Sequence, residues 1–239
     1  MAGEGSGPVA RLAEAIESRT GLGASVRQSV DYVIPGGSRW VYVFGTALMA
    51  VLLMQTVSGI LLGFYYVPSI DHAHTTVAYI QKEVALGWLV RGVHHYGASA
   101  VILLLMLHLS RTVLWGAYRE RREALWLAGI VLLVLVMGFG FTGYLLPWDQ
   151  KAYFGTQVAG GIAASVPLAG DMQMKLLLGG NDVGQATLSR FFALHVFVLP
   201  LLTAAVLALH IRFFRRAGAA GRAVENSAQL KRRPYFPAQ

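Results

Sequence analysis

The sequence has no cysteine among its 239 residues. That excludes disulfides, thiolate zinc sites, cysteine-ligated iron–sulfur clusters and any cofactor attached through a thiol. Charge is also scarce: Asp, Glu, Lys and Arg make up 13% of the chain, against 55% apolar and aromatic residues. A typical soluble domain carries about 25% charged residues. Four windows hold no Asp, Glu, Lys or Arg at all: Val41 to Tyr66, Gly92 to Ser110, Ala124 to Trp148 and Phe191 to Ile211. Each is near or above the roughly 20 residues a helix needs to cross a bilayer. A helix is required there because lipid offers backbone polar groups no partner. The expected fold class is all-α transmembrane, a four-helix bundle. The N-terminus lacks the short apolar core and cleavage site of a secretory signal.

The charge that is present is unevenly placed. Four arginines lie in the segment through Arg39; Arg119, Arg121 and Arg122 lie between the second and third windows; Arg212, Arg215, Arg216, Arg222, Lys231, Arg232 and Arg233 follow the fourth. With four spans these regions share one side. The other side has Lys82, Lys151 and Lys175, with Arg91 and Arg190 at helix ends. By the positive-inside rule both termini are cytoplasmic. The net charge of +8 thus reports orientation and lipid headgroups. A nucleic-acid partner would need a soluble basic face, which is missing.

Three regions follow: residues 1–39, a cytoplasmic amphipathic segment; 40–216, the membrane bundle; and 217–239, a basic cytoplasmic tail. Within the first, Val9 to Val30 reads as a short surface helix, a glycine break and a second short stretch. The connection Pro68 to Leu86 is short and carries His72 and His74, read as solvated loop residues. The connection Pro147 to Arg190 is long enough to expect one or two short helices on the outer membrane surface.

Ionisable residues inside a bilayer are costly and call for a reason. His94 and His108 are fourteen residues apart; His195 and His210 are fifteen apart. Fourteen residues of helix rise about 21 Å, or about four turns, so both imidazoles of a pair lie near one side of their helix. A lone histidine in such a place is an ordinary hydrogen-bonded packing residue, but two matched pairs indicate metal ligation. Two imidazoles leave a bare zinc or copper ion under-coordinated, whereas a haem brings four equatorial nitrogens and needs two axial ligands. Two six-coordinate haems stacked across the membrane fit the pattern, with electron transfer as their function. Counting from His95 meets Leu109, so His94 is the ligand and His95 faces elsewhere.

The other two windows carry glycines at the same interval. Gly45 and Gly59 are fourteen apart, and so are Gly129 and Gly143. Glycine allows close backbone approach, and these positions are read as room for the macrocycles; small-residue helix packing is the competing explanation. Arg91 lies three residues before His94, and Arg111 three after His108. Either could pair with haem propionates or snorkel to headgroups.

Several stretches resemble the cytochrome b family. Arg91-Gly-Val-His94-His-Tyr-Gly-Ala-Ser99 and His108-Leu-Ser-Arg111 are similar to its second helix. Thr142-Gly-Tyr-Leu-Leu-Pro-Trp-Asp-Gln150 is similar to the exit of its third. Ser189-Arg-Phe-Phe-Ala-Leu-His195, then Val-Leu-Pro200 and His210, resemble its fourth. The likeness runs from about Asp31 to Arg216. The fifteen-residue second interval matches the family's short, four-helix form. In the photosynthetic short form a cysteine early in the first helix anchors an extra haem; here that position is Val43, so a respiratory or other bacterial role in the inner membrane fits better.

The resemblance implies the cytochrome b subunit of a quinol:acceptor reductase, inactive alone. It would hold two non-covalent b-type haems, the outer between His94 and His195 and the inner between His108 and His210. Implied partners are quinol, a Rieske iron–sulfur protein, a c-type cytochrome and a separate membrane subunit. That subunit would carry the C-terminal half of cytochrome b, since its Pro-Glu-Trp-Tyr motif is absent here. A dimeric complex is implied as well. Quinol would be oxidised near the outer face, in a pocket walled by Tyr144, Pro147, Trp148 and Asp149. Quinone would be reduced near Arg215 at the inner face, with protons translocated. The rivals are a dihaem membrane anchor of a dehydrogenase or hydrogenase, and a non-redox helical membrane subunit.

Overall fold

In a computed structural model of the chain, the structure describes residues 7–20, 33–34, 43–119, 122–218 and 233–234. It divides into two units, one from residues 1–43 and 218–239 and one from 44–217. In the first unit, α1 runs Pro8–Thr20. Pro8 opens it, where the missing N–H costs nothing, and Val9 and Leu12 are exposed. The rest of the expected second stretch lies outside the described residues, as do Arg121, Arg222, Lys231 and Arg232. A two-residue strand, β1 (Val33–Ile34), pairs antiparallel with β2 (Arg233–Pro234).

The second unit contains the bundle. Four helices are long and apolar enough to cross a membrane. They are α2 (Val43–Gly63), α4 (Gly87–Leu114), α5 (Glu123–Leu145) and a 33-residue helix from Gln185 to Ala217. The last comprises α8 (Gln185–Ala193), a π-helical turn (Leu194–Val198) and α9 (Leu199–Ala217). Three of them extend past at least one end of their uncharged windows, and Val43–Gly63 stops just inside its own.

The π turn was not anticipated from the sequence, and it has two local causes. Pro200 has no N–H to offer the preceding turn, and its ring crowds the carbonyl four residues back. The chain responds by widening one turn, so that the Leu199 N–H reaches back five residues to the Leu194 carbonyl. At about 100° per residue, fourteen residues leave two side chains about 40° apart, while a fifteenth would swing one of them through about 100° more. One extra residue absorbed in the π turn restores the fourteen-residue relationship. The unequal intervals thus give equivalent faces.

Between the two histidine levels lies a packed layer. Val101 and Val136 are buried against Leu48, with Val51, Leu52, Leu104 and Leu105 around them. Val101 is seven residues from each of His94 and His108, and Val136 is seven from each of Gly129 and Gly143. The apolar layer is therefore midway between the levels.

The connections at the His94 and His195 end of the bundle, labelled outer after the charge pattern of the sequence, form a cap. The first connection, expected as a loop, instead folds as α3 (Ala73–Lys82). Ala73 and Ile80, one heptad apart, are its buried face, and that pairing outweighs the polar look of His72-Ala-His-Thr-Thr. His72 precedes α3 and His74 lies within it; both are exposed. The long connection forms two helices, α6 (Gln150–Ala164) and α7 (Gly170–Leu178). α7 ends on Gly179, whose φ of 82° is the left-handed conformation that caps a helix. Ala73, Leu145, Ala152, Leu178, Val183, Leu188 and Phe191 form one buried cluster under this cap.

Candidate functional site

α4 and the fourth membrane helix bring the outer imidazoles face to face. The ring centres of His94 and His195 are 6.3 Å apart, with planes at 74°. Two ligand bonds of about 2 Å to one iron put ring centres roughly 6 Å apart. The two imidazoles are thus close enough that one haem iron could be held between them. At the other level His108 and His210 lie close enough to act on one another electrostatically.

Each ring lies over a glycine of a neighbouring helix. A Cβ added at Gly143 would fall 2.6 Å from His195 Cε1, and one at Gly59 would fall 3.1 Å from His94 Cε1. At Gly129 the distance to His210 Cε1 would be 3.4 Å, and at Gly45 to His108 Cε1 it would be 3.8 Å. α2 therefore backs both histidines of α4, and α5 backs both of the fourth helix. The glycines make room for the imidazoles.

The remaining ring nitrogens have acceptors at the outer level. His94 Nδ1 is 3.0 Å from Ser58 Oγ, and His195 Nδ1 is 3.1 Å from Thr142 Oγ1. The Gln55 and Phe139 carbonyls lie beside the same two rings. With Nδ1 as donor, Nε2 is left as the ligand nitrogen. At the inner level the Leu125 carbonyl is near His210, but His210 Nδ1 is buried without a hydrogen-bond partner. Among the described residues no three or more His, Asp or Glu side chains gather as a bare-ion site. The donor set therefore fits a ligand that brings its own equatorial nitrogens.

The other nominated residues are placed as follows. His95 is exposed and stacks edge-on with Tyr96 at 5.1 Å, away from the pair. Arg91 donates to Gln81 Oε1 at 2.7 Å, which ties α4 to α3. Arg111 is in the last turn of α4, close enough to His108 to act on it electrostatically. Arg215 is in the last turn of α9.

Pro147, Trp148 and Asp149 make the turn from α5 to α6. Trp148 has φ 49°, a left-handed conformation that costs a non-glycine residue of order 1–3 kcal/mol and concentrates at functional sites. Its indole packs edge-on against Tyr153 at 5.9 Å. The Asp149 carboxylate accepts the Ala152 N–H at 2.8 Å and caps α6. Tyr144 is half-exposed and packs against Gly155, where a Cβ would come 2.9 Å from the tyrosine ring.

Sequence reasoning passed over four residues here. Ser58 and Thr142 each immediately precede a ring-backing glycine, which was the available signal. The Tyr66 hydroxyl donates to the Leu146 carbonyl at 2.7 Å, and its ring stacks on Phe192. Burial pushes the Tyr66 phenol well above its ordinary value, so it keeps its proton. Gln185 accepts the Ile70 N–H at 3.0 Å and donates to the Pro68 carbonyl at 2.9 Å, joining the first connection to the fourth helix. No spacing rule marks Tyr66 or Gln185.

Comparisons with known proteins point to one family. Residues 29–218 match the family described as cytochrome b/b6/petB. The chain is 42% identical over 219 residues to the menaquinol:cytochrome c reductase cytochrome b subunit of Geobacillus thermodenitrificans, covering 88% of this chain and 98% of that one. It is 41% identical over 180 residues to cytochrome b6 of Prochlorococcus marinus (strain MIT 9303), covering 75% and 83%. A chain of a hyperthermophilic respiratory Complex III superposes with a TM-score of 0.82 at 29% identity, covering 95% of this chain and 62% of that longer one. With four membrane helices and most of its length matched, the chain belongs to the cytochrome b family.

Proposed function

We propose that this chain is the dihaem cytochrome b subunit of a bc-type quinol:acceptor reductase in a bacterial inner membrane. The observation that carries the proposal is the His94–His195 pair, 6.3 Å between ring centres, with each ring backed by a glycine. His94 and His195 would hold the outer haem iron, and His108 and His210 the inner one. Bound there, two b-type haems would supply one-electron carriers at two depths, linking quinol oxidation at the outer face to quinone reduction at the inner face with proton release and uptake.

The chain's own residues prepare those sites. Helix packing fixes each imidazole, and the outer Nδ1 acceptors fix the tautomer. Arg111, and Arg91 through donors beyond the one given to Gln81, are the cationic partners for propionates. The strained Trp148 turn, together with Tyr144, Pro147 and Asp149, would wall the quinol pocket. Arg215 would serve the quinone at the inner face. Both termini would be cytoplasmic. Partners would be a Rieske protein, a c-type cytochrome and a separate membrane subunit with the rest of the quinol site, in a dimeric complex.

Purification of the tagged chain from its membrane tests this assignment. Co-purification of a Rieske protein and quinol:cytochrome c reductase activity are expected. A preparation holding haem but only a dehydrogenase partner would overturn it in favour of a membrane anchor.

A further inference from the structure

The two levels differ in one respect that the shared interval conceals. At the outer level each imidazole meets a hydroxyl buried in the bundle: Ser58 is 4% exposed and Thr142 is 5% exposed. Each hydroxyl has only one proton to give, and a helix carbonyl four residues back is in place to take it. Ser58 Oγ is 2.8 Å from the Met54 carbonyl, and Thr142 Oγ1 is 2.7 Å from the Gly138 carbonyl. The hydroxyl oxygen is then free to accept from Nδ1–H. The result is a directed chain from imidazole to hydroxyl to carbonyl, repeated on both sides of the pair. Chained hydrogen bonds of this kind polarise one another.

The equivalent positions at the inner level, one residue before Gly45 and Gly129, are Phe44 and Ala128. Neither side chain can accept a hydrogen bond. The Leu125 carbonyl beside His210 is the counterpart of the Gln55 and Phe139 carbonyls beside the outer rings, so the hydroxyls are what the inner level lacks. The asymmetry is therefore in the backing helices, α2 and α5, and not in the ligands.

We propose that Ser58 and Thr142 are positioning residues that set the two sites apart in redox character. Resting on the dihaem reading above, they make the outer histidines more basic, which favours oxidised iron and lowers the outer potential relative to the inner one. An acceptor on the far ring nitrogen raises the basicity of a metal-bound histidine, and hydrogen bonding around a haem is one of the levers on its potential.

The test is a redox titration of the assembled complex, following both haems by their α-bands, for Ser58→Ala and Thr142→Val. Each variant should retain both haems and raise the outer midpoint. The expected shift is about three- to tenfold in the reduction equilibrium, or about 30–59 mV at 59 mV per tenfold for one electron. The inner midpoint should not move. Thr142→Ser, which keeps the hydroxyl, should restore the wild-type value. Ala128→Ser, which adds a hydroxyl at the inner level, should lower the inner midpoint alone. Two haems with an unmoved outer midpoint in Ser58→Ala and Thr142→Val would overturn the proposal. So would a shift that Thr142→Ser fails to reverse. A wild-type complex without bis-histidine haem would instead overturn the reading on which it rests.

Discussion

The outer and inner ends of the bundle use the same interval with different surroundings. At the outer end, α3, α6 and α7 close over a buried cluster around Leu145, Leu188 and Phe191. The imidazoles there have hydroxyl acceptors, and a Cβ added at either backing glycine would come within 3.1 Å of a ring. At the inner end the corresponding glycine distances are 3.4 and 3.8 Å. The outer histidines are thus held more tightly against the helices that back them. A repeated ligand spacing sets where two sites lie; the helices that carry no ligand decide how different those sites are.

Alanine substitution of the four glycines breaks or preserves this difference most directly. Gly143→Ala should have the largest effect, because its methyl would collide with the His195 ring; a penalty of about 2 kcal/mol or more is expected from overpacking. Haem quantitation with reduced-minus-oxidised spectra should show selective loss of the outer haem. Gly59→Ala should weaken it less, and Gly129→Ala should only shift the inner signal. Gly45→Ala should be tolerated, since 3.8 Å is ordinary contact, and it should gain up to about 1 kcal/mol of helix propensity. Equal effects at Gly143 and Gly45 would erase the comparison.

Smaller effects should appear in the cap alone. Asp149→Ala removes the α6 cap, at a cost of about 1 kcal/mol. The strained Trp148 turn should loosen, so the KM for quinol should rise while both haem spectra stay unchanged. Tyr66→Phe removes a single hydrogen bond to the Leu146 carbonyl, worth about 1 kcal/mol. It should lower the thermal midpoint of the complex slightly and leave the inner midpoint potential untouched. A change in the inner haem from either substitution would mean that the cap is not confined to its own end.

The reach of the sequence followed physical lines. The four spans were readable because lipid forbids charge and demands helices. The two histidine levels were readable because a helix repeats at a fixed rise. The π turn at Leu194–Val198 was hidden because one extra residue looks like an imperfect match, although the fifteen-residue interval and Pro200 together are its signature. α3 was hidden because a ten-residue helix with two buried residues leaves little periodic signal. Ser58 and Thr142 escaped because a hydroxyl bonded to its own helix is common and unremarkable in sequence. Arg91 shows the opposite case: its charge marks it at once, while Gln81, which accepts one of its hydrogen bonds, has no charge to advertise it.

The ratio of b-type haem to chain in the purified complex, read with the spin state of the iron, tests the central claim most directly. Two haems per chain, both low-spin and six-coordinate, are predicted, with one lost in His108→Ala or His210→Ala and the other in His94→Ala or His195→Ala. A colourless protein, a high-spin five-coordinate haem, or an unchanged two-haem spectrum in those variants would contradict it.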